Sequence, residues 1–355
     1  MFYKKDLVAV DIGSSCIKVL EYQCQNNNKY HLISQPMVES IPRGIIERGE
    51  ISDAAELSKI FKVLCSRSKL ISRIKRCSLS IGSGATIVRR FEIDDVSGAG
   101  DLGERVGQQA DQALSNFDEL QWGYSVLGTD AVGKTAVVFC AIKIDVIESY
   151  LSVIHGAGIK AGVIDSSITS VSNAFLHNYE NLSGMNMVID IGASSSNLIC
   201  FVNNQFAFAR TFNIGGDYYT SCLANDLGIE QERAESLKAN LAQSGNIPPQ
   251  VAQSLIKAHE SFVTEVSLSI DYFNRSSIGL SLGDMKLQSI FLVGGGSKIP
   301  GLVDTISTKL QVNASRFNPF RRIVPKISRS QRRDLEEMGS FFGVSSGLAI
   351  RRVGD

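Results

Sequence analysis

The chain has 355 residues, 44% of them hydrophobic, and its 36 Lys plus Arg are balanced by 36 Asp plus Glu. That is enough apolar sequence for a large core and enough length for two domains or one bilobal unit. Zero net charge argues against a nucleic-acid partner. The apolar runs fall short of the roughly 18 residues of a membrane-spanning helix, and the N-terminus enters a strand pattern without a signal peptide.

Cys16, Cys24, Cys65, Cys77, Cys140, Cys200 and Cys222 form no C-x-x-C pair and lie mostly in apolar runs. They read as reduced, buried thiols of a cytosolic protein. The four His residues show no metal-ligand spacing.

In chain order, Asp6 to Tyr22 reads as strand, turn and strand around Asp11-Ile12-Gly13-Ser14-Ser15. Lys18, on the return strand, either points back to the turn or is a solvated strand lysine. Asn26-Asn27-Asn28 is a hairpin turn, Tyr30 to Val38 a third strand, and Ile51 to Ser66 a helix with Ser52 or Asp53 as its cap. Residues 76–156 read as a compact α+β insert. Its strands are Arg76–Ile81 and Ile87–Ile93 around Gly82-Ser83-Gly84, then Leu120–Leu127 and Thr135–Lys143. Its helices are Asp101–Phe117 and Asp145–Gly156. The insert carries no catalytic constellation and is expected to present a partner surface.

A strand ends at Asp165 and a helix runs from Ile168 to Tyr179. Val188–Ile191, Leu198–Val202 and Gln205–Ile214 then form a second strand–turn–strand unit plus a third strand. Its turns are Gly192-Ala193-Ser194-Ser195-Ser196 and Asn203-Asn204, the latter tolerating the positive φ of a two-residue hairpin. Helices follow at Tyr218–Leu227, Glu230–Ala242 and Pro248–Phe273. Glu235 and Lys238 sit three apart on the second of these, a spacing that also fits a solvated pair. Strand Gln288–Val293 runs into Gly294-Gly295-Gly296-Ser297-Lys298-Ile299-Pro300 and a helix from Leu302 to Leu310, with Pro300 suited to the first helical turn. Arg316 to Arg333 is a basic stretch that reads as a solvated loop. Gly339 to Ile350 is a small, apolar closing helix.

The central observation is a repeat. LVAVDIGSSCIKVL (7–20) and MVIDIGASSSNLIC (187–200) share an apolar run, Asp-Ile-Gly, small residues and a second apolar run. Two such turns facing each other could clamp a polyphosphate. Small residues leave backbone N–H groups open to an anion, and the aspartates fit if Mg²⁺ lies between them and the phosphates, held through water. A strand, a glycine turn and a helix N-terminus near 294–302 form a further ligand site.

These three motifs in this order resemble the actin, sugar kinase and heat-shock-70 ATPase superfamily, with two phosphate motifs and an adenosine motif. Ala234-Glu235-Ser236-Leu237-Lys238 is similar to the A-E-x-x-K helix with which bacterial actin homologues touch ribose and base. Lys298 matches the position of an Arg beside adenine in heat-shock-70 relatives. Within the superfamily the whole chain resembles the PilM family of type IV pilus assembly. ADQALSNFDELQWGYSVLG (110–128) and Gly347-Leu348-Ala349-Ile350-Arg351 are similar to that family's pattern. Ser115-Asn116-Phe117 departs from the Tyr-Ile-Pro usual there.

The resemblance implies an α/β, actin-like (ribonuclease H-like) fold of duplicated lobes with an inserted α+β subdomain. Lobe 1 would comprise 1–75, 157–185 and 339–355, and the insert 76–156. The core of lobe 2 would comprise 186–217 and 286–338, with a helical subdomain at 218–285. It implies ATP or ADP with Mg²⁺, the metal oriented through water by Asp11 and Asp190. The nucleotide contacts would be Gly13, Ser14, Ser15, Lys18, Gly192, Ala193, Ser194, Ser195, Gly215, Gly216, Glu235, Lys238, Gly294, Gly295, Gly296, Ser297 and Lys298. Asp165, followed by Ser166 and Ser167, is the nearby acid that could join Asp11 and Asp190 in a slow hydrolysis.

The partner implied is the short cytoplasmic N-terminal tail of the inner-membrane protein PilN, docking near the insert as an extended peptide. Through it the chain would join the pilus alignment complex and serve twitching motility at the inner face of the membrane. Self-association is compatible with the superfamily; nucleic-acid binding and direct membrane insertion are not expected. The alternatives are an FtsA-like division scaffold and a small-molecule kinase. The first would end in an amphipathic membrane helix, whereas this sequence stops at Asp355. The second would need a substrate pocket with a catalytic Asp in the cleft, and no clear sugar-contact motif is found.

Overall fold

The computed structural model describes residues 5–25, 29–67, 76–94, 101–130, 133–244, 247–276, 279 and 285–351. The turn expected at Asn26–Asn28 lies outside them. The chain opens with β1 (Lys5–Ile12), β2 (Cys16–Gln25), β3 (Lys29–Leu32) and β4 (Met37–Ser40), then a ribbon of β5 (Ile46–Glu47) and β6 (Glu50–Ile51), and α1 (Ala54–Arg67). Next come β7 (Arg76–Ile81), β8 (Thr86–Ile93), α2 (Leu102–Ala113), β9 (Leu120–Thr129), β10 (Thr135–Lys143), α3 (Ile144–His155) and β11 (Lys160–Ser166). After α4 (Ser167–Asn178) the second half begins with β12 (Met185–Ile191), β13 (Ser196–Val202) and β14 (Gln205–Phe212). Helices α5 (Gly216–Leu227), α6 (Gln231–Ser244) and α7 (Pro249–Asn274) follow. The chain closes with β15 (Leu287–Val293), α8 (Leu302–Leu310), β16 (Asn313–Arg316), β17 (Val324–Pro325), α9 (Arg329–Met338) and α10 (Gly343–Ala349).

The repeat extends from the motifs to the topology. The first sheet runs β11-β7-β1-β2-β3 before adding β17, and the second runs β16-β15-β12-β13-β14. Each has an antiparallel hairpin, β1–β2 or β12–β13, flanked by a parallel strand, β7 or β15. The registers also correspond: Asp11 opposes Lys18, and Asp190 opposes Asn197. Asn203 and Asn204 have φ of 47° and 62°, the left-handed pair that a two-residue hairpin needs.

Alternation along the strands assigns the faces. Val8 and Val10 enter a core with α1 and α3, while Leu7 and Ala9 enter one with Phe320, Leu335 and Leu348. In the second sheet Met187 and Ile189 pack under α5–α8, and Val188 packs against Ile168, Val171 and Phe175 of α4. The third strand expected at Tyr30–Val38 is divided. β3 and β4 both pair with the ten-residue β2, and Pro36, which has no N–H to donate, lies in the break between them.

Several expected boundaries move. Residues 76–156 do not form one insert. β7 lies between β1 and β11 in the first sheet, and Val146, Tyr150 and Val153 of α3 share a core with Leu57 and Phe61 of α1. The separate unit is the sheet β8-β10-β9 with α2 over one face. Its other face meets the second lobe: Val88, Leu127 and Val138 pack against the core containing Phe201 and Phe206, and Arg90 Nη1 donates to Phe206 O at 3.0 Å. Residues 320–338, expected in the second lobe, join the first, since β17 pairs with β3 and Phe320, Ile323 and Leu335 share a core with Leu7 and Tyr22. The basic stretch within them is partly structured: Arg322 pairs with Glu180, and Arg321 lies 4.9 Å from the Tyr179 ring centre. α4 packs on the second sheet, and α5–α7 share one continuous core with that sheet's other face.

The lobes are joined by the crossing of α4 and α10. A Cβ at Gly347 would lie 1.7 Å from Ser170 O and 2.8 Å from Ala174 N, so only glycine permits this approach. Gly347→Ala is expected to cost about 1–3 kcal/mol in chemical denaturation. That overrides the gain of up to about 1 kcal/mol that Ala brings to an unconstrained helix. Gly123→Ala, where a Cβ meets nothing within 4 Å, is the matched control and should stay within about 0.5 kcal/mol.

Candidate functional site

The two Asp-Ile-Gly turns face each other across the lobes. Each is closed the same way: Gly13 N–H donates to Cys16 O, and Gly192 N–H to Ser195 O, both at 3.0 Å. Those two glycine N–H groups are therefore consumed by the turns. The N–H groups of Ser14, Ser15, Ala193 and Ser194 have no protein acceptor among the described residues. At the mouth Ser14 Oγ lies 3.2 Å from Ser194 Oγ.

Beneath the turns are two buried carboxylates and one ammonium. Lys18 Nζ lies 3.1 Å from Asp11 Oδ2, as their cross-strand register dictates, and 4.7 Å from the Phe341 ring centre. Asp11 Oδ1 accepts from Ser80 Oγ of β7 at 2.8 Å. Burial works against the charge on Lys18, yet Asp11 and the neighbouring negative groups hold its pKa above the ordinary value. Asp190 is pushed up to about 6, first by burial and further by Asp11, against the pull of Lys18 and Asn197. One cation for two buried carboxylates leaves a negative charge uncompensated, and an added cation would correct that.

The second turn is braced from two sides. Gly216 N–H donates to Gly192 O at 2.9 Å and Asp217 N–H to Ala193 O at 2.8 Å. A Cβ at Gly215 would lie 2.5 Å from Ala193 O. From the other side, Gly294 has φ of +84°, and a Cβ there would lie 2.6 Å from Asp190 Oδ1 and 2.4 Å from Ile191 O. A Cβ at Gly296 would lie 2.2 Å from Ile191 Cγ2, and one at Gly295 would lie 2.9 Å from Phe341 Cε2. Ser297 is fully buried, its hydroxyl bonded to Gly294 O at 2.7 Å and Ser340 Oγ at 3.0 Å. It braces the turn rather than facing a ligand, contrary to the sequence expectation. Lys298 stays partly exposed, and burial followed by Arg316 lowers its pKa.

Glu235 and Lys238 are not a solvated pair. Lys238 Nζ donates to Gly216 O, Thr220 Oγ1 and Glu235 Oε2, each at 2.8 Å. Burial acts to raise the pKa of Glu235, but bonds from Lys238 and Thr220 outweigh it and the carboxyl is held below its ordinary value. Asp165 is elsewhere engaged: its carboxylate takes Ser166 N–H and the Thr169 hydroxyl, with Arg351 Nε 3.0 Å away. It pairs with the end of the chain rather than with Asp11 or Asp190, which corrects its expected place in a hydrolytic group.

Sequence reading missed Arg43, Ser80, Thr220 and Phe341. Thr220 stands four residues after Gly216 on α5, a spacing that could have signalled a shared face. No local pattern marks the other three. A hollow of about 390 Å³ beside Met185, Ile270, Leu287, Leu310 and Val312 lies away from the turns.

Two equivalent sheets, joined by crossing helices and with paired Asp-Ile-Gly turns, define an actin-like α/β protein. A family model described as type IV pilus assembly protein PilM matches residues 9–353, and the chain belongs to that family. A solved PilM–PilN type IV pilus biogenesis complex is similar over 99% of this chain and 100% of that chain, with a TM-score of 0.83 at 20% identity. Ethanolamine utilization protein EutJ from Carboxydothermus hydrogenoformans is similar over 98% and 90%, with a TM-score of 0.57 at 12% identity. MreB5 of Spiroplasma citri, solved bound to AMPPNP, is similar over 98% and 96%, with a TM-score of 0.51 at 13% identity.

The buried charge gives a test. The folded pKa of Asp190, about 6, lies above its ordinary 3.8. The folded state therefore takes up the proton more readily, and ionising Asp190 weakens the fold progressively as pH rises through this interval. Asp190→Asn is expected to stabilise the ligand-free protein by on the order of 1–3 kcal/mol above pH 6, the gain vanishing below about pH 4. Denaturation curves across this range check it.

Proposed function

We propose that the chain is a nucleotide-linked adaptor of type IV pilus assembly that binds ATP or ADP with Mg²⁺ between its lobes and the cytoplasmic tail of a PilN-type inner-membrane protein. The observation that carries the nucleotide reading is the facing pair of turns, with free N–H groups above an under-compensated pair of buried aspartates. Asp11 and Asp190 fit a Mg²⁺ ion held largely through water and phosphate oxygens. Among the described residues no three His, Cys, Asp or Glu side chains gather to hold a metal by themselves. Bound Mg²⁺ would neutralise the charge of the polyphosphate. The chain's own share is to present the N–H groups of Ser14, Ser15, Ala193 and Ser194 to the phosphates, and Glu235, Lys238, Lys298 and the Gly294–Gly296 backbone toward the nucleoside. Asp165 is tied to Arg351 and Thr169 rather than held free to position water, which favours binding over turnover.

Family membership and the likeness to a PilM bound to PilN support the second half of the proposal. The three-stranded unit β8-β10-β9 touches the first lobe through Thr86 Oγ1, 2.8 Å from Ser166 Oγ, and the second through Arg90 and the core around Phe206, and the tail would dock near it. No helix among the described residues is long and apolar enough to cross a membrane, so recruitment to the inner membrane would come through the partner.

Equilibrium nucleotide binding tests the metal bridge. Asp11→Asn is expected to weaken ATP binding about tenfold or more with Mg²⁺ and to change it little in EDTA. Equal affinity of wild type and variant with Mg²⁺ would remove the bridge.

A further inference from the structure

Arg43 lies in the loop between β4 and β5, on the first lobe, and its guanidinium reaches the second. Nη2 is 3.1 Å from Asp217 Oδ1 and 3.3 Å from Glu235 Oε2, and Nη1 is 3.4 Å from Gln231 Oε1. These partners sit on α5 and α6. The loop that carries Arg43 is fastened to the first turn: Ile41 N–H donates to Ser15 O at 2.8 Å, and Ile41 and Ile45 are buried in the first lobe. Asp217 is fastened to the second turn through its N–H to Ala193 O.

The contacts therefore close a ring around the mouth of the cleft. It runs from Ser15 through Ile41, Arg43 and Asp217 to Ala193, and back through Ser194 and Ser14. Whatever enters between the turns has to open that ring. Its links within each lobe are backbone hydrogen bonds, and its links between the lobes are the Ser14–Ser194 hydroxyl contact and the Arg43 ion pairs. The Arg43 ion pairs are about half exposed (side chains 53% for Arg43, 43% for Asp217, 45% for Glu235) and so are among the weak, salt-screened links. Arg43 also covers Glu235, a carboxylate proposed to face the nucleoside.

We propose that Arg43 is a displaceable latch that holds the cleft shut without ligand and releases when a nucleoside takes Glu235. The second clause rests on the nucleotide reading; the first does not. The latch opposes binding, because its contacts must be broken first. Its geometry is electrostatic, so salt should loosen it.

The experiment compares wild type, Arg43→Ala and Arg43→Lys in two measurements: amide exchange of the ligand-free protein, and stopped-flow ATP·Mg²⁺ binding at low and high salt. Arg43→Ala should speed exchange at Ile41, Gly216 and Asp217, whose N–H groups are bonded to the two turns, and should bind ATP up to about fivefold tighter, mainly through faster association. Arg43→Lys should fall between. Wild type should gain association rate as salt rises relative to Arg43→Ala. Unchanged exchange in Arg43→Ala would overturn the latch. Weaker ATP binding by Arg43→Ala would overturn it in favour of a direct ligand contact. Faster exchange with no ATP binding by any of the three proteins would support the latch and remove the nucleotide reading instead.

Discussion

The close crossing of α4 and α10 is the constraint on which the rest depends. α4 leaves the first sheet and packs on the second; α10 returns from the second half and packs on β1 and β2. Where they cross, Gly347 allows Ser170 O to approach closer than any side chain would permit. Because each helix is buried in the other half's core, the crossing is where the two sheets are coupled. The 3-10 turn Gly339–Phe342, immediately before α10, then ties this crossing to the site. Ser340 O accepts from Gly294 N–H at 2.8 Å, and Phe341 lies against Lys18 and Gly295.

The electrostatics follow from that geometry. Duplicated hairpins bring two aspartates to the ends of β1 and β12, and burial makes their shared negative charge costly. Only one half supplies a cation, because Lys18 opposes Asp11 where Asn197 opposes Asp190. The excess charge therefore collects at Asp190, whose carboxyl shows the shift. A site of this kind favours an incoming cation and, with open N–H groups above it, an anion that the cation can bridge. The same turns are held together by the ring through Arg43, so an empty cleft and a filled one would differ in which contacts satisfy Glu235 and the turn backbones.

Much of this was legible in the sequence because the motifs are local. Asp-Ile-Gly between apolar runs identifies a strand, a tight turn and a strand, and the repeat identifies the duplicated lobes. Asn203-Asn204 announces its own turn, and Asp53, one of the two caps offered for α1, accepts from Glu56 N–H. Sheet membership was less legible. The residues of β7 alternate as a strand should, but alternation does not say whether the neighbour is β8 or β1. α3 has an apolar face that would serve an insert as well as a lobe. Burial of Ser297 was hidden because a serine in a glycine-rich turn reads as a ligand contact. Its hydroxyl turns inward to Ser340, 43 residues away. Arg43 was hidden because its partners lie 174 to 192 residues further along, on helices whose orientation only the packed lobes define.

Under the proposed function, nucleotide and partner tail are read by one coupled structure. Calorimetric titration of the cytoplasmic tail peptide of PilN into the protein, with and without saturating ATP·Mg²⁺, tests it most directly. Tail affinity is expected to change with nucleotide and, by linkage, nucleotide affinity to change by the same factor when tail is present. Tail affinity identical in the two titrations, with ATP bound, would contradict it.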